Sequence, residues 1–457
     1  MADYDSGKKY IELIGATLLL PEENQEHFTP VENGRILLED GRFSYVGPAG
    51  RTYEDYKRSL DLRDQDIESY DYSGRLILPP FANTHCHLGM SIFRNSPSRY
   101  SLEDWLNKWI FPLEEHLDYE IVRIATALSL TELTQSGVGA VADMYFFEDA
   151  VVESVLESGL RANIALGMKE TDEKGHHYFD EERAKDFLSR VKVYEEQIKI
   201  SLEVHSLYLY PKEFYKDLAL TAREFNLPIQ MHLAETKTEV NGIEEKFAMS
   251  PVEALMALDL VQPGAIYAHC VHLTEKDLDL LKDKEVYLAH NPASNAKLAS
   301  GMLKAKPMAD RNLNLTLGTD GAGSNDQLNF FHDLRLASFY EKLSEENPLA
   351  GDAETWLYRA TVKGYEALGF GDSAYFKIGE KADFLIYNPN VPGSGPYGSK
   401  SDPYSVLVYS GSPRGVEGLV VNGETVMWDY KHTRVDENLI LREAGVAQEK
   451  LFSYQNN

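Results

Sequence analysis

Two cysteines in 457 residues, Cys86 and Cys270, exclude a disulfide framework, and no paired Cys-x-x-Cys spacing offers a zinc knuckle. Basic charge is scarce as well. Forty-five lysines and arginines stand against 73 aspartates and glutamates, a formal net charge of −28. A field of that sign repels phosphate backbones and anionic headgroups, so neither a nucleic acid nor a membrane is an expected partner; it also keeps a protein dissolved. No apolar run approaches the ~20 residues of a membrane span. The chain opens MADYDSGKK, and its first apolar run, Leu13 to Leu20, stops at Pro21-Glu22-Glu23. That reads as strand rather than signal peptide, and the cytoplasm is the expected compartment. There is no glycine-rich phosphate loop and no low-complexity segment.

What is present is enough apolar sequence, 43%, for a large core. Residues 1–77 read as short strands broken by turns, with Asp40-Gly41 as a hairpin signal in GRILLEDGRFSYVG. Residues 376–457 look similar, with Asn422-Gly423 in GVEGLVVNGETVMWD. Together the two ends suggest one small β-sandwich domain. The middle, 78–375, alternates short apolar runs with amphipathic stretches. Its strand candidates are Phe81–His87, Ala140–Met144, Arg161–Ala165, Ile200–His205, Ile229–Leu233, Ile266–Cys270, Val286–Ala289 and Leu315–Thr319. Ser101-Leu-Glu-Asp104 forms a capping box before a helix whose face carries Leu102, Trp105, Leu106, Trp109 and Leu113. Ile121 to Ser136 is a further helix, ended by Gly137. Eight strands separated by helices predict an α/β fold, a distorted (β/α)₈ TIM barrel; a doubly wound open sheet is the fallback.

Of 13 histidines, His27, His116, His176, His177, His332 and His432 sit in polar or helical surroundings and read as surface or capping residues. The informative ones sit at strand ends. In Asn83-Thr84-His85-Cys86-His87, alternation sends both imidazoles to one side and Cys86 to the other. His232 ends the next informative strand, with Glu235 three residues on, suited to shuttle a proton beside a metal-held water. His269 closes another strand; Cys270 beside it, like Cys86, reads as packing. Asp320 closes the last strand, where a buried carboxylate needs a metal or a histidine partner, or caps the following helix. Singly each has a bland explanation. Jointly they would converge on the carboxyl-terminal face of a barrel, where three neutral imidazoles and a carboxylate suit one divalent ion, Zn²⁺ or Fe²⁺.

The motifs PPFANTHCHLGMSIFRN, DMYFFEDAV, HLAET, AHCVHL, HNPASNAKLASG and LGTDGAGSND run in order through the chain. With them the sequence resembles the amidohydrolase superfamily. Within it the chain looks like the branch that deaminates S-adenosylhomocysteine, methylthioadenosine and related adenosines, a neighbour of the triazine and guanine aminohydrolases. The resemblance implies metal ligands at His85, His87, His232 and Asp320, a shuttling glutamate at Glu235 and a site histidine at His269. It implies a purine contact at His205, a ribose-binding carboxylate at Glu114, a hydrophobic wall at Trp105, and Ser324 near the final aspartate. The implied reaction is hydrolytic deamination of a nucleoside, with hydroxide generated at a single metal and ammonia released. The alternative is attack on another heterocycle: guanine, a pterin, an 8-oxopurine or an s-triazine. A non-catalytic assembly protein on this fold would be expected to lack these ligands. Homo-oligomers are common in the family. One departure stands out: Leu166 falls where relatives carry an arginine that binds the distal part of the substrate, and the loop ETDEKGHHYFDEE is acidic. An uncharged 5′ group is therefore expected, unless Arg94 or Arg99 compensates. Lys199 stands at the wrong end of its strand to bridge a second metal.

Overall fold

A computed structural model describes residues 9–23, 25–97, 102–167, 169–171 and 177–456; the side chains of 102, 103, 169–171, 177–179 and 456 are not described. Eight strands form the middle of the chain: β1 Phe81–Cys86, β2 Val138–Asp143, β3 Arg161–Leu166, β4 Ile198–Val204, β5 Ile229–Leu233, β6 Ile266–His269, β7 Tyr287–His290 and β8 Asn314–Leu317. They hydrogen-bond in sequence order and every neighbouring pair is parallel. All eight predicted strands are found, with ends shifted by one or two residues. Every residue of β1, β2 and β3 is buried, as parallel strands covered on both faces require.

The seam between β8 and β1 carries no ladder. It is closed by the Thr84 hydroxyl donating to Leu317 O at 3.0 Å and the Asn83 amide donating to the Thr319 hydroxyl at 2.7 Å. The amides of Thr319 and Asp320 donate back, to Asn83 Oδ1 and His85 O, each at 3.0 Å. The result is a nearly closed (β/α)₈-like barrel. Its covering helices include Tyr119–Gln135, opened by Asp118, whose carboxylate accepts from the Ile121 amide.

The chain ends build two further sheets. Tyr10–Ile14, Gly34–Glu39, Arg42–Pro48 and Ile67–Asp71 form one. The other, of seven strands, mixes both termini: Leu76–Leu78 pairs with Thr17–Pro21 on one side and Phe384–Tyr387 on the other. Alternation serves this sheet on both faces. Leu18, Ile77, Phe384, Ile386 and Val420 pack against Leu13, Ile36, Leu38 and Phe43 of the four-stranded sheet. Leu19, Leu76, Leu78, Leu385 and Leu419 join the barrel core. Both hairpin signals are realised by two consecutive left-handed residues, Asp40-Gly41 and Asn422-Gly423.

Two details depart from the sequence reading. The final helix, Glu437–Phe452, packs Ile440 and Ala444 on Ile124 and Ala127 of the barrel. His432, read as a surface residue, is nearly enclosed, with Nε2 3.4 Å from Glu437. Ser101 and Arg99 lie outside the described residues. Among the described residues no helix is long and apolar enough to cross a membrane.

The barrel is tied to the mixed sheet by a buried ion pair. The Arg161 guanidinium grips Asp383 with Nε at 2.8 Å and a terminal nitrogen at 2.9 Å, and the Asn422 amide and Tyr365 hydroxyl also donate to Asp383. Asp383→Ala strands a buried guanidinium and should cost about 3–5 kcal/mol in chemical denaturation. An Arg161→Leu/Asp383→Leu double variant should recover part of that loss.

Candidate active site and metal centre

Alternation delivers the histidines as predicted. His85 lies within β1 and His87 just beyond it, both facing the barrel mouth, with ring centroids 4.9 Å apart. Cys86 turns into the core, its thiol donating to Ala142 O at 3.0 Å, and Cys270 is also buried. His232 sits in β5, His269 ends β6, and His205 and Asp320 follow β4 and β8. The rim backbone bends sharply here. Ala234, His269, Cys270 and Asp320 all have φ between 49° and 71°, the left-handed region that non-glycine residues enter only where surroundings enforce it.

The side chains converge on one point. His87 Nε2 and His232 Nε2 are 3.2 Å apart, and Asp320 Oδ1 lies 3.3 Å from His87 Nε2 and 3.7 Å from His85 Nε2. His87 Nδ1 faces Met144 O at 2.5 Å and His232 Nδ1 faces His205 O at 2.9 Å. Each Nδ1 therefore carries a proton; His232 Nε2 turns a lone pair inward, and His87 Nε2 faces the Asp320 carboxylate. His85 Nε2 is buried with no hydrogen-bond partner. Two trios, His85–His87–His232 and His85–His269–Asp320, hold their ligand atoms within 4.8 Å of one another. This donor set fits a divalent metal ion.

Electrostatics agree. Burial lowers His85 to about 3 and His205 to about 4, and holds His232 well below the usual imidazole range, so these rings are neutral. Burial opposes the Asp320 charge, yet its contacts with His85 and His87 and the nearby His87 charge hold it well below the usual carboxylate range. Burial also opposes a charge on His87, but its contact with Asp320 raises it to about 9. A positive charge belongs at this point, proton or metal.

Of the supporting groups, Ser324 was expected near Asp320, whereas Ser294, Asn295, Ser300 and Glu239 escaped the sequence reading. Asp320 Oδ2 accepts from Ser294 at 2.6 Å and from Ser324 at 2.7 Å. His269 Nδ1 faces Asn295 Oδ1 at 2.8 Å. Glu235 Oε1 accepts from Ser300 at 3.0 Å, leaving Oε2 3.9 Å from His269 Nε2. Glu239 fixes the Glu235 loop by accepting from the amides of Ala234 and Glu235. Ser294, Asn295 and Ser300 lie in HNPASNAKLASG, so the motif was visible although no single residue in it was.

The cluster opens into a cavity whose lining includes Trp105, Glu114, Tyr145, Glu203, His205 and Ser324. The predicted substrate-binding residues are thus brought together with the histidines. Glu114 accepts from the Tyr145 hydroxyl at 2.9 Å, and burial raises its carboxyl. Leu166 is 0% exposed, part of the core rather than the cavity wall. Arg94 is engaged with Glu132 and does not line the cavity. Lys199 lies by Phe370 and Gly369, where β4 begins.

Residues 76–426 match the sequence model of the Amidohydrolase family. The chain belongs to that family. Similar proteins include 5-methylthioadenosine/S-adenosylhomocysteine deaminase of Carboxydothermus hydrogenoformans, 35% identical over 91% of this chain and 93% of that one. They also include 5′-deoxyadenosine deaminase of Methanopyrus kandleri, 33% identical over 97% and 99%. An adenosine deaminase structure from Xanthomonas campestris, with bound zinc, superposes with a TM-score of 0.87 at 23% identity, covering 97% of this chain and 98% of that one. That likeness is one of fold.

In this amidohydrolase the rim rests on a second buried carboxyl. Asp333 accepts from the Asn325 amide at 3.0 Å and the Ala293 amide at 3.2 Å, and burial pushes it up to about 8. A carboxyl raised on folding keeps its proton when the unfolded chain has lost it. Its contribution to stability is therefore lost as pH rises from about 4 to about 8. Denaturation of wild type and Asp333→Asn at pH 5 and pH 8 should show the variant lacking a downward slope of at most about 1.4 kcal/mol per pH unit.

Proposed function

We propose that this chain is a metal-dependent hydrolytic deaminase of an adenosine-type nucleoside. The observation that carries the reading is the convergence of His85, His87, His232 and Asp320 on one point, with Glu235 and His269 beside it in a cavity that also holds Glu114 and His205. The names of the relatives above support the substrate class.

His85, His87, His232 and Asp320 would hold a single ion. Three neutral imidazoles and one carboxylate suit Zn²⁺, with Fe²⁺ as the other candidate. When bound, such an ion supplies Lewis acidity, bringing the pKa of a water it holds towards neutrality. The chain's own groups do the rest. Glu235, steadied by Ser300, takes a proton from the attacking water and delivers it to the purine ring nitrogen next to the amine-bearing carbon. His269, steered by Asn295, and Asp320, held by Ser294 and Ser324, orient that water. Its oxygen bonds to the ring carbon, the new hydroxyl gives its remaining proton to the amine by way of Glu235, the carbon–nitrogen bond breaks, and ammonia leaves. Neutral His205 contacts the base, Glu114 the ribose hydroxyls, and Trp105 closes the apolar side.

Metal-loaded protein should release ammonia from adenosine, 5′-deoxyadenosine or methylthioadenosine and none from guanine; silence on every nucleoside would sink the reading. Glu235→Gln should lower kcat by about 10²–10⁴-fold. Elemental analysis gives a separate check. His232→Ala and Asp320→Ala should lose near-stoichiometric metal, whereas Cys86→Ser and Cys270→Ser should keep it.

A further inference from the structure

One carboxyl in the cavity has no task in this scheme. Glu203 lies near the end of β4, two residues before His205, and both side chains line the cavity. Glu203 makes no hydrogen bond or ion pair with any described residue. The neighbouring carboxylates are all engaged: Glu114 by Tyr145, Glu235 by Ser300, and Glu148 by the Gly167 amide and Arg183. Its Oε2 would lie 2.9 Å from a Cβ built on Gly167, which sets the group against the wall where β3 ends. Arg183, near that wall, is engaged by Glu148, and Leu166 is turned into the core. Burial and the adjacent Glu148 charge push the Glu203 carboxyl up to about 8, and a donor arriving there, above all an ammonium, draws it back to the carboxylate. Glu203 is partly exposed to the cavity, and a carboxyl there without a donor from the protein is open to one from a ligand.

We propose that Glu203 is a specificity-determining residue that accepts a hydrogen bond from the 5′ group of the nucleoside. The preferred substrate then carries a hydroxyl or an ammonium at that carbon, and a tail ending in a carboxylate is refused. This rests on the reading that the cavity takes an adenosine-type nucleoside. With the reacting carbon at the histidine cluster and the ribose hydroxyls at Glu114, Glu203 is a polar point of contact left for the 5′ end among the described residues.

Calorimetric binding in a metal-loaded Glu235→Gln background, which blocks turnover, tests the idea. The ligands are 5′-amino-5′-deoxyadenosine, adenosine, 5′-deoxyadenosine and S-adenosylhomocysteine. The first two should bind at least about tenfold more tightly than 5′-deoxyadenosine, and S-adenosylhomocysteine more weakly than all three. Adding Glu203→Met should erase the advantage of the donor-bearing ligands. Adding Glu203→Gln, which keeps an acceptor oxygen without the charge, should retain the preference for hydroxyl and lose the advantage of ammonium over hydroxyl. The Gln variant serves alone if the Met variant does not fold. Equal binding of the first three ligands, or a preference that survives Glu203→Met, overturns the proposal. Discrimination without ammonia release from wild type would sink the hydrolase reading and leave Glu203 standing. Ammonia release without discrimination would do the reverse, and no binding at all would remove both.

Discussion

Asp320 carries a negative charge into a place that solvent hardly reaches, and much of the barrel rim is arranged around that charge. Two imidazoles approach one oxygen and two serine hydroxyls take the other. These partners come from β1, from the helix Pro292–Lys297 after β7 and from the helix Ala322–Asn325 after β8. The carboxylate therefore organises the part of the barrel that lacks a backbone ladder. Its own amide crosses the seam to His85 O, so the residue that needs balancing also fastens the strand that balances it. A left-handed backbone at Asp320 is tolerable because the interactions on both sides outweigh its strain.

The imidazoles divide the work unequally. His85, His205 and His232 are kept neutral by burial, whereas His87 is drawn towards the charged form by Asp320. Neutral nitrogens with lone pairs turned inward and a carboxylate that stays ionised together offer a cation a prepared set of donors. The Nδ1 protons of His87 and His232 are committed to the backbone carbonyls of Met144 and His205, which leaves both Nε2 atoms facing the centre, where a cation would displace the second proton of His87.

Much of this was legible from residue order. The period of two places His85 and His87 together and Cys86 apart, and strand ends locate His232, His269 and Asp320. Such features depend on local geometry. What stayed hidden depends on contacts between distant segments. Ser300 and Glu235 are 65 residues apart, and Ser294 and Asp320 are 26 apart; no periodicity marks such pairs. Glu203 escaped for another reason, since an acidic residue in a strand stands out only once its neighbours prove to be occupied elsewhere. Leu166 showed the converse. Its position suggested a wall of the cavity, but alternation along β3 points it into the core. His432 is enclosed by the final helix, which the β-rich appearance of the last segment concealed.

The mixed sheet sets a condition on how the molecule is made. Arg75 and Glu417 form an ion pair across 342 residues of sequence, and Leu76–Leu78 completes its pairing only with Phe384–Tyr387. During synthesis the first sheet strands emerge long before their partners exist, while the barrel between them can already assemble. Apolar residues such as Leu18 and Ile77 lack their neighbours Phe384, Ile386 and Val420 until about the last sixth of the chain arrives. The long-range pairing that joins the termini also makes folding slow, because loop closure precedes any reward from contact. Assembly of the sandwich is thus tied to completion of the chain, and a product interrupted before Phe384 would leave this apolar sheet face uncovered.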